Sequence, residues 1–389
     1  MRLVRSPLAL IFSTVLIHLI GFGIVIPVLP LYAERFGASP LVIGCLVGIY
    51  SAMQCVCAPL LGKLSDRVGR RPVLLVSLLG TAAGFLVMGV AQSLPLLFVG
   101  RIIDGATGGS ISTAQAYIAD VTTPQERSRG MGLIGAAFGL GFIFGPALGG
   151  IVSRVSLAAP FLLAALLSAL NALAVYCFLP ESLTAAAGRT PQRSFRQRLF
   201  AGPQGRPLLL TIGAYFVTTV AFSMLTATYP LFTERRFGYS AAENGYLFAL
   251  QGVFSALMQG LCLGWLVKRV GDRRLAMAGA LVLGLLTMAL SSCHTIGMLL
   301  IVTAGIAIGH GLVVSPLNSL ASQRVTAASQ GRALGLMQSA ASLARIVGPV
   351  LGGWLLGHDA LQPSWLFGRM TYGTSGVIGL LSVGLMLGL

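Results

Sequence analysis

The chain has 389 residues, 56% of them hydrophobic and only 9% charged, with a formal net charge of +16. Soluble domains carry about 25% charged residues, so this chain cannot coat a water-facing globule and most of its side chains must face lipid. The 50 glycines suit close helix contacts in a membrane. The basic residues sit in short clusters between apolar runs, which leaves no groove for nucleic acid and excludes a disordered or collagenous chain.

A spanning helix needs about 20 mostly apolar residues. Twelve runs meet that ruler: Leu8–Pro30, Leu41–Gly62, Val73–Gln92, Leu96–Ala119, Gly130–Ser153, Ala158–Leu179, Leu208–Leu231, Asn244–Val267, Leu275–Ser292, Gly297–Ser322, Ala333–Leu356 and Trp365–Leu389. Between the sixth and seventh, Pro180–Pro207 holds Gly, Pro, Gln, Ser and five arginines. It reads as a cytoplasmic linker with a short amphipathic helix around Phe195–Phe200. The expected organisation is therefore all-α: a six-helix bundle over residues 1–180, a linker over 181–206 and a second six-helix bundle over 207–389.

Cys45, Cys55, Cys57, Cys177 and Cys262 fall inside apolar runs, and Cys293 stands at the end of one. They read as small buried hydrophobes, with no disulfide frame, metal site or cofactor implied. The first run is too long for a signal-peptide core and lacks an A-x-A-like end.

With the N-terminus inside, nineteen of the 26 basic residues fall in inside loops, and only Arg35, Arg154, Arg235, Arg236 and Arg369 fall outside. That asymmetry follows the positive-inside rule. It predicts a multi-pass inner-membrane protein with both termini cytoplasmic. Arg101 and Arg345 lie within spans.

The two halves repeat each other. Pro30–Gly37 returns as Pro230–Gly238, Lys63–Arg71 as Val267–Arg274, and Gly145-Pro146-Ala-Leu-Gly-Gly150 as Gly348-Pro349-Val-Leu-Gly-Gly353. A duplicated six-span unit makes parallel repeats with the substrate site between halves near the midplane.

Gly62-Lys-Leu-Ser-Asp-Arg-Val-Gly-Arg-Arg-Pro72 resembles the signature loop of the major facilitator superfamily. Arg101-Ile-Ile-Asp-Gly105 resembles its fourth-span motif, and Gly139–Gly150 the fifth-span motif associated with antiporters. The whole chain is similar to the twelve-span drug–proton antiporters, most of all the tetracycline/proton antiporters. It departs from them at His18, where those exporters carry an Asp in the first span.

The resemblance implies roles for particular residues. Gly62, Asp66, Arg67, Gly69, Arg70 and Arg71, with Asp120 and Glu126 as partners for the arginines, form a cytoplasmic latch. Asp66 accepts from the start of the eleventh helix near Arg332, where the dipole favours an anion. Gly141, Gly145, Pro146, Gly149 and Gly150 make a tight helix contact that Pro146 bends.

Intramembrane charge is costly and functional by default. Asp104 lies well inside a span, one turn from Arg101. Either the two neutralise each other or they relay protons, and the relay is preferred. His18 and His310 titrate near neutral pH and are further relay candidates, with helix packing as the other reading. Arg345 either holds an anionic substrate group or is tied to carbonyls or a carboxylate.

Tyr50, Gln54, Gln115, Tyr215, Phe222, Gln251, Asn318, Gln338 and Arg345 are the pool for a largely apolar cavity with a few polar groups. The expected function is proton-coupled efflux of drugs or small amphiphilic molecules by alternating access. The alternative is import or facilitated passage of a sugar, organic acid or siderophore. No nucleophile elbow, H-E-x-x-H or P-loop lysine motif is present, so no enzyme or self-contained ATP-driven pump is expected. The implied partners are a small-molecule substrate, protons and the lipid bilayer, with no nucleic acid. By resemblance the chain works as a monomer, since two fused halves already make a complete pathway.

Overall fold

The computed structural model describes residues 7–123, 127–183, 205–325, 329–363 and 366–389, with the side chains of 127–129 left aside. Arg2, Arg5, Glu126, the side chains of Arg127 and Arg129, the linker arginines from Arg189 to Arg198, the expected helix at Phe195–Phe200 and Trp365 lie outside the described residues.

The fold is all-α. The first half holds α1 (Pro7–Val25), α2 (Leu29–Glu34), α3 (Pro40–Val68), α4 (Arg70–Gly89), α5 (Leu94–Ala106), α6 (Ser110–Val121), α7 (Arg127–Ser153) and α8 (Ala159–Phe178). The second holds α9 (Gly205–Phe237), α10 (Ala241–Leu257), α11 (Leu263–Val270), α12 (Asp272–Leu290), α13 (Ile296–Gln323), α14 (Gln330–Asp359) and α15 (Arg369–Leu387), with a π-helical turn at Met258–Cys262 joining α10 to α11.

Among the described residues eleven segments are long and apolar enough to cross a membrane, and α5 with α6 makes the remaining span. The chain is thus a multi-pass membrane protein of twelve spans in two repeated six-helix bundles.

Local chemistry sets the ends. Pro95 and Pro160 stand in the first turns of α5 and α8, where a missing N–H costs nothing. Thr295 caps α13 by accepting from the Met298 N–H at 3.3 Å. Gly69, Gly238 and Gly271 take positive φ of 109°, 68° and 83° at the helix boundaries of the repeated motifs.

Two sequence expectations are corrected here. The first run was read through to Pro30, but α1 stops at Val25 and α2 begins at Leu29, because Pro27 and Pro30 together break the ladder. The seventh run has only Pro230 and continues unbroken to Phe237. The fourth run, read as one span over Leu96–Ala119, is interrupted at Thr107–Gly109.

Burial is reversed relative to a soluble bundle. On α8, Leu166, Leu170 and Leu173 are more than half exposed, while Ser168 and Asn171 on the other face are buried. Asn171 Nδ2 donates to the Thr14 carbonyl at 2.9 Å. Polar groups turn inward, away from a lipid phase that offers them no partner.

Packing divides the chain into two compact units. One comprises Met1–Ala38, Ile49–Thr190 and Tyr239–Ala249; the other comprises Ser39–Gly48, Pro191–Gly238 and Leu250–Leu389. Each has its own core, around Leu74, Leu78, Tyr117 and Ala137 in the first and around Ala276, Val313, Leu317 and Met337 in the second.

In the first unit, α7 runs against α1 through glycine. A Cβ on Gly145 would stand 2.7 Å from the Gly23 Cα, and one on Gly149 2.3 Å from the Ile24 carbonyl oxygen. The repeat does the same in the second unit, where a Cβ on Gly348 would meet Val220 O of α9 at 2.7 Å.

Candidate functional site

The fourth span breaks for a readable reason. Thr107 Oγ1 donates to the Ile103 carbonyl at 2.8 Å, and the Gly109 N–H turns back to the Thr107 carbonyl at 2.7 Å, so the helical ladder ends. Gly108 and Gly109 accept the tight turn, and Ser110 restarts the helix as α6. Backbone freed inside a membrane must be re-satisfied by protein. Gln54 of α3 does this for one group: its Nε2 donates to the Gly108 carbonyl at 3.1 Å and to Tyr50 Oη at 3.2 Å.

One turn before the break, Arg101 Nη1 donates to Asp104 Oδ2 at 3.3 Å, with both residues at most 4% exposed. The Arg101 guanidinium lies 4.5 Å over the Tyr50 ring. Arg101 Nε has no hydrogen-bond partner among the described residues. Just past the break, Ser110 Oγ meets His18 Nε2 of α1 at 3.1 Å, and His18 Nδ1 is buried without a hydrogen-bond partner among the described residues. Five residues singled out from sequence (His18, Tyr50, Gln54, Arg101 and Asp104) therefore gather around one helix interruption in one unit. Asp104 is thus a buried acid paired with Arg101 one turn before the break, and His18 contacts Ser110 just past it.

His310 lies in the other unit, stacked on Phe222 with ring centres 3.7 Å apart and planes 17° apart. There Tyr215 faces Asn318 and the Arg345 guanidinium, and Arg345 also donates to Ser342 Oγ at 3.2 Å. Gln251 is buried and its Nε2 has no hydrogen-bond partner among the described residues. Gln115 and Gln338 are exposed on α6 and α14.

The signature loop forms a compact ionic cluster in the first unit. Arg70 Nε donates to Asp120 at 2.9 Å, and its Nη1 donates to Asp66 at 2.5 Å and to Ser65 at 3.1 Å. Arg71 donates to the Tyr176 carbonyl at the end of α8 and lies over that ring. Gly69 is buried against Glu181, whereas Gly62 has open space around it and Arg67 is exposed. Of the fifth-span glycines, Gly141 packs on Leu19 of α1, and Gly150 backs onto Ala242 and Gly245 of the α10 start in the same unit. The helix continues through Pro146.

Sequence reasoning missed four features. Glu181 accepts from the N–H groups of Arg70 at 2.8 Å and Arg71 at 3.1 Å, capping α4 from across the bundle. Ser110 was hidden in the supposed continuous span, although Thr-Gly-Gly-Ser was its signal. The π turn brings Gln259 to Ser315 of α13 at 3.2 Å. Asp359 is a second fully buried acid, accepting from the Met370 and Thr371 N–H groups to cap α15.

Two repeated bundles of membrane helices, with polar groups buried at a helix break inside the bilayer, define a transporter. The chain belongs to the Major Facilitator Superfamily, whose family model matches residues 11–258 and 211–389. It is 35% identical over 357 residues to "Tetracycline resistance protein, class C" of Escherichia coli, covering 89% of each chain. It is 26% identical to "Multidrug resistance protein 2" of Bacillus subtilis (strain 168), covering 91% of this chain and 90% of that one. Among solved structures it resembles the human organic anion transporter MFSD10 (TETRAN), at 26% identity and a TM-score of 0.73, covering 98% of this chain and 99% of that chain. Its relatives are transporters, and it is not an enzyme.

Proposed function

We propose that this chain is a proton-coupled antiporter that exports drugs or small amphiphilic molecules across an inner membrane. The carrying observation is the Arg101–Asp104 pair, buried one turn before the break of the fourth span, with the His18–Ser110 contact just past that break. The names of its resistance-protein relatives support the efflux direction.

In this reading Asp104 takes a proton from one side and releases it to the other, and Arg101 adjusts its affinity for it. His18 assists from the first span. The two halves, residues 1–180 and 207–389, rock about the substrate, which sits among groups drawn from Tyr50, Gln54, Tyr215, Phe222, Gln251, Asn318 and Arg345. The Asp66–Arg71 loop latches on the start of α14 when the site faces outward, both termini are cytoplasmic, and the monomer suffices.

The test uses liposomes holding the protein, an internal pH dye and an inside-acid gradient. Tetracycline, cationic dyes and siderophore-like acids are added outside. A compound that collapses the gradient with wild type but not with Asp104→Asn or His18→Ala supports antiport. Equal movement without a gradient and in both variants makes the chain a facilitator whose buried charges are structural.

A further inference from the structure

We infer that the face where α12 meets α15 is a seat for one anionic phospholipid. Its phosphate is held by Arg273 and Arg274, and its acyl chains lie on Leu281, Leu285, Val377 and Leu381. This seat is independent of what the chain transports.

The start of α12 carries more positive charge than the protein neutralises. Lys268, Arg269, Arg273, Arg274 and Arg324 gather where α11 and α13 finish and α12 begins. Asp272 is the acid among them, and it accepts from Ser319 Oγ and Gln323 Nε2, at 2.9 Å each, rather than from a guanidinium. Of the other acids in residues 205–389, Glu234 lies near the end of α9, Glu243 in the first turn of α10 and Asp359 at the end of α14, each a membrane span away. Burial, and after it the charge of Arg273, lower the Arg324 guanidinium below its ordinary value. The first half differs, since there Arg70 is held by Asp66 and Asp120. A basic cluster at the membrane surface attracts anionic lipid.

The two neighbouring guanidiniums are placed to grip a phosphate. Arg273 Nε and Nη2 donate to the Met386 and Leu387 carbonyls at 3.0 and 2.8 Å. That fixes the side chain across the α12–α15 seam and leaves Nη1 without a protein acceptor among the described residues. Arg274 is exposed, with no side-chain hydrogen bond or ion pair among the described residues. The planar fork of arginine matches phosphate oxygens two at a time.

The place of the acyl chains follows from the helix faces. α12 and α15 run antiparallel and touch through glycine, where a Cβ on Gly376 would stand 2.5 Å from the Gly284 carbonyl oxygen. In an antiparallel pair the residues just after the contact glycines, Leu285 and Val377, turn to the same side of the seam. Arg274, Leu281 and Leu285, spaced seven and four apart, share one face of α12. Val377 and Leu381, four apart, share one face of α15. All five side chains are exposed. Leu285 stands about 16 Å along the axis from Arg274, close to the roughly 15 Å hydrocarbon depth of one leaflet.

The test is native mass spectrometry of the delipidated full chain in detergent, titrated with dioleoylphosphatidylglycerol or dioleoylphosphatidylcholine. These lipids share acyl chains and phosphate and differ in net charge. The first phosphatidylglycerol is expected to bind about tenfold more tightly than the first phosphatidylcholine, and Arg273→Gln/Arg274→Gln should reduce that preference to about twofold. The charge-matched Arg35→Gln/Lys63→Gln variant should keep it. If the double arginine variant fails to fold, Arg274→Gln alone, at an exposed side chain, should cut the preference about threefold. Equal affinity for the two lipids, an undiminished preference in the arginine variants, or an equal loss in Arg35→Gln/Lys63→Gln overturns the seat. Displacement of phosphatidylglycerol by equimolar inorganic phosphate overturns it too, because the site would then take a soluble anion without help from acyl chains.

Discussion

Gly69 and Gly271 stand at the same point of the two repeats, and the residues that follow them carry opposite charge. Both glycines precede a helix with extended, positive-φ geometry, φ 109° and ψ 159° before α4 and φ 83° and ψ 151° before α12. Both are followed, one residue further on, by an arginine that donates to the end of the sixth helix of its half. Arg71 reaches the Tyr176 carbonyl, and Arg273 reaches those of Met386 and Leu387. Between glycine and arginine the halves diverge. Arg70 is gripped by Asp66, Asp120 and Ser65, whereas Asp272 accepts neutral donors, Ser319 and Gln323, at 2.9 Å each. What the repeats share is what any bundle needs to close a turn and cap a helix. What differs is an ionic network in the first half, where the buried Arg70 side chain depends on its carboxylate partners while Asp66 itself is largely exposed.

The comparison breaks first at the glycines. Each adopts backbone that costs a non-glycine residue about 1–3 kcal/mol. A Cβ at Gly69 would also stand 2.4 Å from Glu181 Oε2, while nothing lies within 4 Å at Gly271. Gly69→Ala is expected to destabilise by about 3 kcal/mol and Gly271→Ala by about 1.5 kcal/mol, read as apparent melting temperatures in detergent. The gap should close in a Glu181→Gly background. Equal losses in the wild-type background remove Glu181 from the explanation.

Arg70→Met comes next. It strips two carboxylates of their partner, but Asp66 is 63% exposed and Asp120 26%, so the buried-pair cost is discounted to about 2 kcal/mol. The same assay reads it, and a loss below that of Asp272→Asn would reverse the ranking of the two turns.

Glu181→Gln is expected to cost about 1 kcal/mol by weakening the cap on α4. Its pH dependence sharpens the point. Burial raises the Glu181 carboxyl, but hydrogen bonds from the N–H groups of Leu183, Arg70, Arg71 and Ser182 outweigh that and hold it below the usual carboxylate range. A depressed folded value means the stabilisation is present above the unfolded carboxylate range, about 4.3, and is lost as pH falls through the folded value. The melting difference between wild type and Glu181→Gln should be full at pH 7 and vanish on acidification. A difference that persists in acid would make the carboxylate's charge irrelevant to the cap.

Asp272→Asn should be the smallest effect, about 0.5 kcal/mol, since the amide oxygen still accepts and only a first-turn dipole interaction is lost. Its melting temperature should shift least of the set.

Much of the fold was legible because membrane spans announce themselves by length and hydropathy, and because three motifs recur in the same order in both halves, one of them at the Gly69 and Gly271 helix junctions and another inside α7 and α14. Tyr50, Gln54, Arg101, Asp104 and His18 were legible as a pool, since polar residues inside apolar runs are conspicuous. Their convergence was not. Gln54 meets Gly108 only because the fourth span opens there, and a window long enough to detect a span averages over a three-residue interruption. Glu181 was invisible for another reason: it lies 111 residues from Arg70, and nothing in a local pattern links an acid after one helix to the first amides of another.

Composition, spacing and repetition by themselves determined a twelve-span, duplicated membrane protein, because lipid permits so few ways to satisfy a backbone. Only the tertiary structure decided which polar groups meet. It put His18 on Ser110 and Arg101 over Tyr50, and it left His18 Nδ1 without a partner, because those relations depend on which helix faces turn toward each other, and that is set by packing across the bundle.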